Sequence, residues 1–140
     1  MQNPRDRNPG TRTESFISLV DLPKTFLSMA GQPLPGSMAG IDFSPVFRGE
    51  TESLRDHVLI ENRHEPDTVF LNTFVDGRFK ITVYAGAVHG ELWDLQQEPD
   101  EVENLWDDLE KSALKADLLL KLAQAQMTKD PAPMPGFSFA

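Results

Sequence analysis

Asn62, Arg63 and His64 put an amide, a guanidinium and an imidazole on three consecutive residues directly after a short apolar run. A guanidinium beside an imidazole can bind an anionic sugar or aryl group through charge-assisted hydrogen bonds. The plainer reading is a solvated strand end, with Arg63 ion-paired to Glu61 or Glu65. His89, in the glycine-bounded stretch 85–90, is a second candidate contact. Nucleophilic catalysis would need a reactive atom, an activating base and a group to hold developing charge. The three histidines are scattered at 57, 64 and 89 and the chain has no cysteine, so no such triad is read here. These residues suit recognition better than bond-breaking.

The chain that must position them has 140 residues, 39% hydrophobic and 25% charged, enough for one modest core. A net charge of -9 argues against a general binder of phosphate backbones, because that affinity is built from Lys and Arg. No apolar run approaches the roughly 18 residues that span a bilayer, and the opening residues are polar, so neither an anchor nor an export signal is read. Without cysteine there are no disulfides or thiolate metal sites, but the compartment stays undetermined.

Residues 1–14 lack apolar periodicity and read as an irregular lead-in. Asp21 suits a helix N-cap with Pro23 in the first turn, predicting a helix over 22–30 that Gly31 ends in a left-handed conformation. Residues 32–40 form a Pro- and Gly-rich connector, after which Asp42 or Ser44 caps a very short helix that stops at Gly49. Strands are expected at 57–61, 68–75, 78–84 and 91–95, with Asp76-Gly77 as a hairpin turn whose two positions want positive φ. Alternation puts Phe79, Ile81 and Val83 on one face and Lys80 and Tyr84 on the other. Asp107 or Asp108 then caps a helix over about 109–127, whose Leu114, Leu118, Leu119 and Leu122 cover the sheet. Trp93 and Trp106 read as anchors to the core, and Pro131, Pro133 and Pro135 as an extended tail. The expected fold is α+β: a small antiparallel sheet of about four strands packed by a long C-terminal helix, preceded by a helix and connector.

In order along the chain stand Ser18-Leu-Val-Asp21-Leu-Pro-Lys-Thr-Phe-Leu27, Ala30-Gly31 and Met38-Ala-Gly40, then Glu61-Asn-Arg-His64 and Asp76-Gly-Arg-Phe-Lys-Ile-Thr-Val-Tyr84. Gly90-Glu-Leu-Trp-Asp-Leu95 and Glu98-Pro-Asp-Glu-Val-Glu-Asn-Leu-Trp-Asp-Asp108 complete the series. This ordered set resembles the C-terminal region of bacterial sulfatases, members of the alkaline-phosphatase-like superfamily, over roughly 14–135. One departure is Lys24, which fills a place where the family usually has proline.

The resemblance implies that 15–50 is the end of the sulfatase catalytic domain with its connector, 51–128 the C-terminal subdomain, and 129–140 a Pro-rich tail. It also implies a partner, an N-terminal catalytic domain. In the complete enzyme that domain is expected to bind calcium and to carry formylglycine made from Cys or Ser in C/S-x-P-S-R. That motif is not in this chain, so no catalytic, metal or cofactor residue is assigned here and the chain is expected to be inert alone. Ser44-Pro-Val-Phe-Arg48 has its proline in the wrong place, and Asp107-Asp108 reads as a helix cap rather than a cation site. The subdomain's expected role is to complete the fold and shape the cleft for a sulfated small molecule or sugar, with Asn62, Arg63, His64 and His89 as substrate contacts. The alternatives are a non-catalytic interaction module that forms a homo-oligomer, a sugar-sulfate-binding module, and a related phosphonate or phosphate ester hydrolase as parent.

Overall fold

Residues with alternating character along 57–94 fold as a four-stranded antiparallel meander in a computed structural model that describes residues 12–64 and 69–129. The strands are β1 (His57–His64), β2 (Val69–Asp76), β3 (Phe79–Tyr84) and β4 (Gly90–Asp94), in the spatial order β1-β2-β3-β4. Cross-strand partners share a face, and the row Leu59, Phe74, Ile81 and Leu92 is the sheet's contribution to the core. Helix α3 (Ser112–Thr128) closes over this row with Leu118, Leu122 and Ala125, and Leu114 and Leu119 pack beside them. The expected α+β fold, the sheet-covering leucines and the division of β3 into two faces are all present. The lead-in before Arg12 and the three prolines of the tail lie outside the described residues.

The β4 edge of the meander needs explanation, because an edge strand presents unpaired backbone groups. At β4, Asn104 covers them: its Oδ1 accepts from Leu92 N at 3.0 Å and its Nδ2 donates to the Gly90 carbonyl at 3.0 Å. Leu105 N also donates to the Leu92 carbonyl, and the Trp106 ring lies flat enough on Gly90 that a Cβ there would stand 2.5 Å from it. Asn104 and Trp106 thus account for the Asn-Leu-Trp stretch.

At the other end of β2 the turn differs from the sequence expectation. β2 continues through Asp76 and the connecting residues are Gly77 and Arg78, with neither Asp76 nor Gly77 at positive φ. Asp76 Oδ1 instead accepts from Arg78 N at 2.8 Å and Phe79 N at 2.7 Å, so a side-chain turn replaces the positive-φ hairpin. Arg78 then forks onto Asp94 across β3 and β4. Asp108 Oδ1 accepts from Glu110 N at 2.8 Å and opens a short 3-10 turn, Leu109–Lys111, that leads into α3.

The described residues divide into two compact units, one ending at Asp56 and the other spanning His57–Thr128. In the first, α1 (Leu22–Met29) ends as expected at Gly31, φ 68°, with Gln32 N donating to the Leu27 carbonyl and Gly31 N to that of Ser28. Its start is a correction. Asp21 occupies the N-cap position, but its side chain makes no cap hydrogen bond; Pro23 in the first turn removes one of the donors it would have used. The fully buried carboxylate accepts instead from Ser18 N, Ile41 N and, at 2.8 and 2.5 Å, Arg55 Nε and Nη2. Gly40 makes this approach practicable: at φ 88° it sits where a Cβ would come within 2.2 Å of the Val20 carbonyl oxygen. The short helix α2 (Ser44–Phe47) follows, with Asp42 taking both the N–H and the hydroxyl of Ser44.

Burial alone would raise the Asp21 carboxyl, but the Arg55 guanidinium and the N–H groups of Ile41 and Ser18 together hold it below the ordinary value. Such a group contributes stability that is complete above the unfolded pKa, about 3.9, and that is lost as pH falls through the folded value. We predict that Asp21→Asn removes this acid-sensitive part of the unfolding free energy and costs about 3–5 kcal/mol at neutral pH, as expected for breaking a buried ion pair, read by urea titration between pH 3 and 7. Gly90→Ala is predicted to lower the denaturation midpoint of the second unit and to quench less of the Trp106 fluorescence change on unfolding, since the ring must leave the strand.

Candidate functional site

Antiparallel strands bring alternate connections to the same end of a sheet. β1 runs out to His64 while β2 returns from Val69, and β3 runs out to Tyr84 while β4 returns from Gly90. The end of β1 and the start of β2 therefore lie at the same end of the sheet as the 85–89 loop, about 10 Å from it at two strand spacings. Asn62, Arg63, His64 and His89 all belong to this end.

Asn62, Arg63 and His64 do not follow the strand as expected from sequence; they are its last three residues, paired with Leu71, Phe70 and Val69. The ladder continues because β2 supplies partners up to Val69. Membership in a strand separates them, since neighbouring residues point to opposite faces. Arg63 belongs to the face that α3 covers, and its guanidinium carbon lies 4.4 Å above the centre of the Phe70 ring. Asn62 belongs to the other face, in a row with Leu71 and Tyr84. His64 pairs through its backbone with Val69, and its side chain lies outside the described part of the structure.

The His89 ring stands 5.5 Å from that of Tyr84, tilted by 35°. The Tyr84 hydroxyl donates to Glu91 Oε1 at 2.8 Å, and this carboxylate, with burial, pushes the phenol above its ordinary pKa. Tyr84 thus remains a neutral donor committed to Glu91. Sequence reading assigned Tyr84 to the sheet surface only, and the signal that links it to His89 is the shortness of the loop that returns from β3 to β4. Lys80, on the same face, is occupied by Glu101.

At this end of the sheet stand a guanidinium stacked on Phe70 on one face, an exposed amide on the other, and the exposed imidazole of His89 in the loop. Each can make charge-assisted or polar hydrogen bonds, and none is an activated nucleophile. Among the described residues no three His, Asp or Glu side chains come together as a metal site, so they do not fit the calcium of a sulfatase centre. Asp108 is engaged as a cap, and the Ser44 hydroxyl is buried among Asp42, Ser28 and Arg48, which explains why neither mimics the motif it resembles.

Comparison with known proteins gives the same assignment along the whole described fold. The family model for the C-terminal region of N-sulphoglucosamine sulphohydrolase matches residues 1–128. The Delta 4,5-hexuronate-2-O-sulfatase of Bacteroides thetaiotaomicron is 30% identical over 102 residues, covering 70% of this chain and 21% of that enzyme. Human arylsulfatase K is 27% identical over 111 residues, 69% of this chain and 20% of its own length. Among solved structures, a 2-O GAG sulfatase superposes with a TM-score of 0.67 at 30% identity, over 79% of this chain and 25% of its own. The phosphonate monoester hydrolase of Agrobacterium radiobacter gives 0.62 at 26%, over 81% and 26%. The chain spans about a fifth of the length of these curated relatives. With its sheet, its helix and its Asp21 to Asp108 motifs in family order, it belongs to the C-terminal domain family of the sulfatases.

Proposed function

We propose that this chain serves as the C-terminal part of a sulfatase, completing the fold of the enzyme and shaping the cleft that receives the sulfate ester. In this reading 15–50 is the end of the catalytic domain with its connector, and 51–128 is the subdomain that carries the cleft wall. The observation that carries it is that the end of β1 and the β3–β4 loop lie at one end of the sheet, with Asn62, Arg63 and His89 exposed there. Exposed apolar side chains support it as well: Ile17, Leu19, Val20 and Phe26 present a surface suited to packing against a further domain. That domain would supply the formylglycine and the calcium.

The substrate class we propose is a sulfated sugar with an acidic group. Relatives named for hexuronate and GAG sulfate esters support it, and Arg63, prepaid in orientation by Phe70, is suited to an anionic ring substituent. His64 is retained as a contact on its place in the strand. The sulfate itself would be held elsewhere, so these residues would act on the alcohol portion.

Two measurements test this. The purified chain with added calcium should hydrolyse a chromogenic aryl sulfate no faster than its heat-denatured control; turnover that follows the protein through purification would overturn the reading. Joined to a sulfatase catalytic domain, Arg63→Ala or His89→Ala should raise KM for a sulfated uronate by about tenfold, the worth of one charge-assisted hydrogen bond, while an uncharged aryl sulfate is turned over as before. Equal losses on both substrates would assign these residues to the fold instead.

A further inference from the structure

Helix α3 is apolar on two opposite sides. One side packs on the sheet through Leu114, Leu118, Leu122 and Ala125. The other carries Ala113, Ala116, Leu120, Ala123 and Met127, continued backward by Leu109 in the 3-10 turn that leads into the helix, and these recur in alternating steps of four and three residues, the spacing of a coiled-coil seam. At about 100° per residue the two stripes lie nearly diametrically opposed. All six members of the outer stripe are exposed, Leu109 at 87%, Leu120 at 56% and Met127 at 83%. A surface helix needs one apolar stripe to hold it to its own core, and here that need is already met by the inner one.

We infer that this outer stripe is the contact surface for a second copy of the chain, with the two α3 helices antiparallel. Two observations favour that occupant. The stripe is complementary to itself in this direction: about a two-fold axis near residue 118, Leu109 meets Met127, Ala113 meets Ala123, and Leu120 meets Ala116 of the second copy, so large faces small at the centre. A parallel pair would instead put Leu120 on Leu120 and each alanine on an alanine. Size is sufficient: Leu109 to Thr128 makes a rod about 30 Å long, and two such faces bury on the order of 1,000 Å², the lower range of specific interfaces. The small alanines let the backbones approach closely.

Sedimentation equilibrium of the full chain should show a reversible monomer–dimer equilibrium, and Leu120→Glu, present twice at the centre, should weaken it by about a hundredfold with unchanged circular dichroism. Because the chain has no cysteine, the order of the helices is read separately. A mixture of Ala113→Cys and Ala123→Cys chains should oxidise chiefly to the mixed disulfide. A monomer at every concentration, a dimer unaffected by Leu120→Glu, or a predominance of the two like disulfides would each overturn the inference.

Discussion

Burial of Phe74, Ile81 and Leu92 against Leu118, Leu122 and Ala125 is the constraint on which the second unit depends. It decides which side of every strand turns inward, and a slip of one residue in any strand would exchange its two faces. The separation of Arg63 from Asn62 is one result: the ladder that puts Leu59 in the core row puts Arg63 on the same side and Asn62 on the other. The exclusion of any side chain at position 90 is another, since Trp106 needs that space to complete the same core.

The first unit buries a carboxylate beside its apolar side chains Phe43 and Val46. Asp21 collects hydrogen bonds from the segment before it, from the connector at Ile41 and from Arg55, and so joins three stretches that are far apart in sequence. An isolated carboxylate so deeply buried would be costly, and the paired guanidinium with two backbone donors offsets that cost. The family motifs around Asp21 and Gly40 thereby acquire one physical reason: a carboxylate must reach the connector, and the connector must lie close enough to be reached.

Much of this architecture was legible in local pattern. The faces of β3, the leucine stripe of α3, the Asp108 cap and the stop at Gly31 each depend on residues a few positions apart, where periodicity and capping preferences speak directly. What was not legible depends on distant partners. Arg55 is 34 residues from Asp21, so the carboxylate read as a helix cap. The length of β1 was set by its partners on β2, which carried Asn62, Arg63 and His64 from an expected loop into a strand. The Asp76 turn was misjudged because a side-chain acceptor can close a reversal without positive φ. Asn62, Arg63 and His64 are neighbours in sequence, but their division between two faces of a strand was not visible there.

The strict neighbour order of the sheet bears on how the unit is made. Each strand pairs only with the one synthesised just before or after it, so every closure spans a short loop and costs little chain entropy. Such local topology favours rapid acquisition of structure. The meander can zip up strand by strand as the chain is produced, leaving the helix to seal it last.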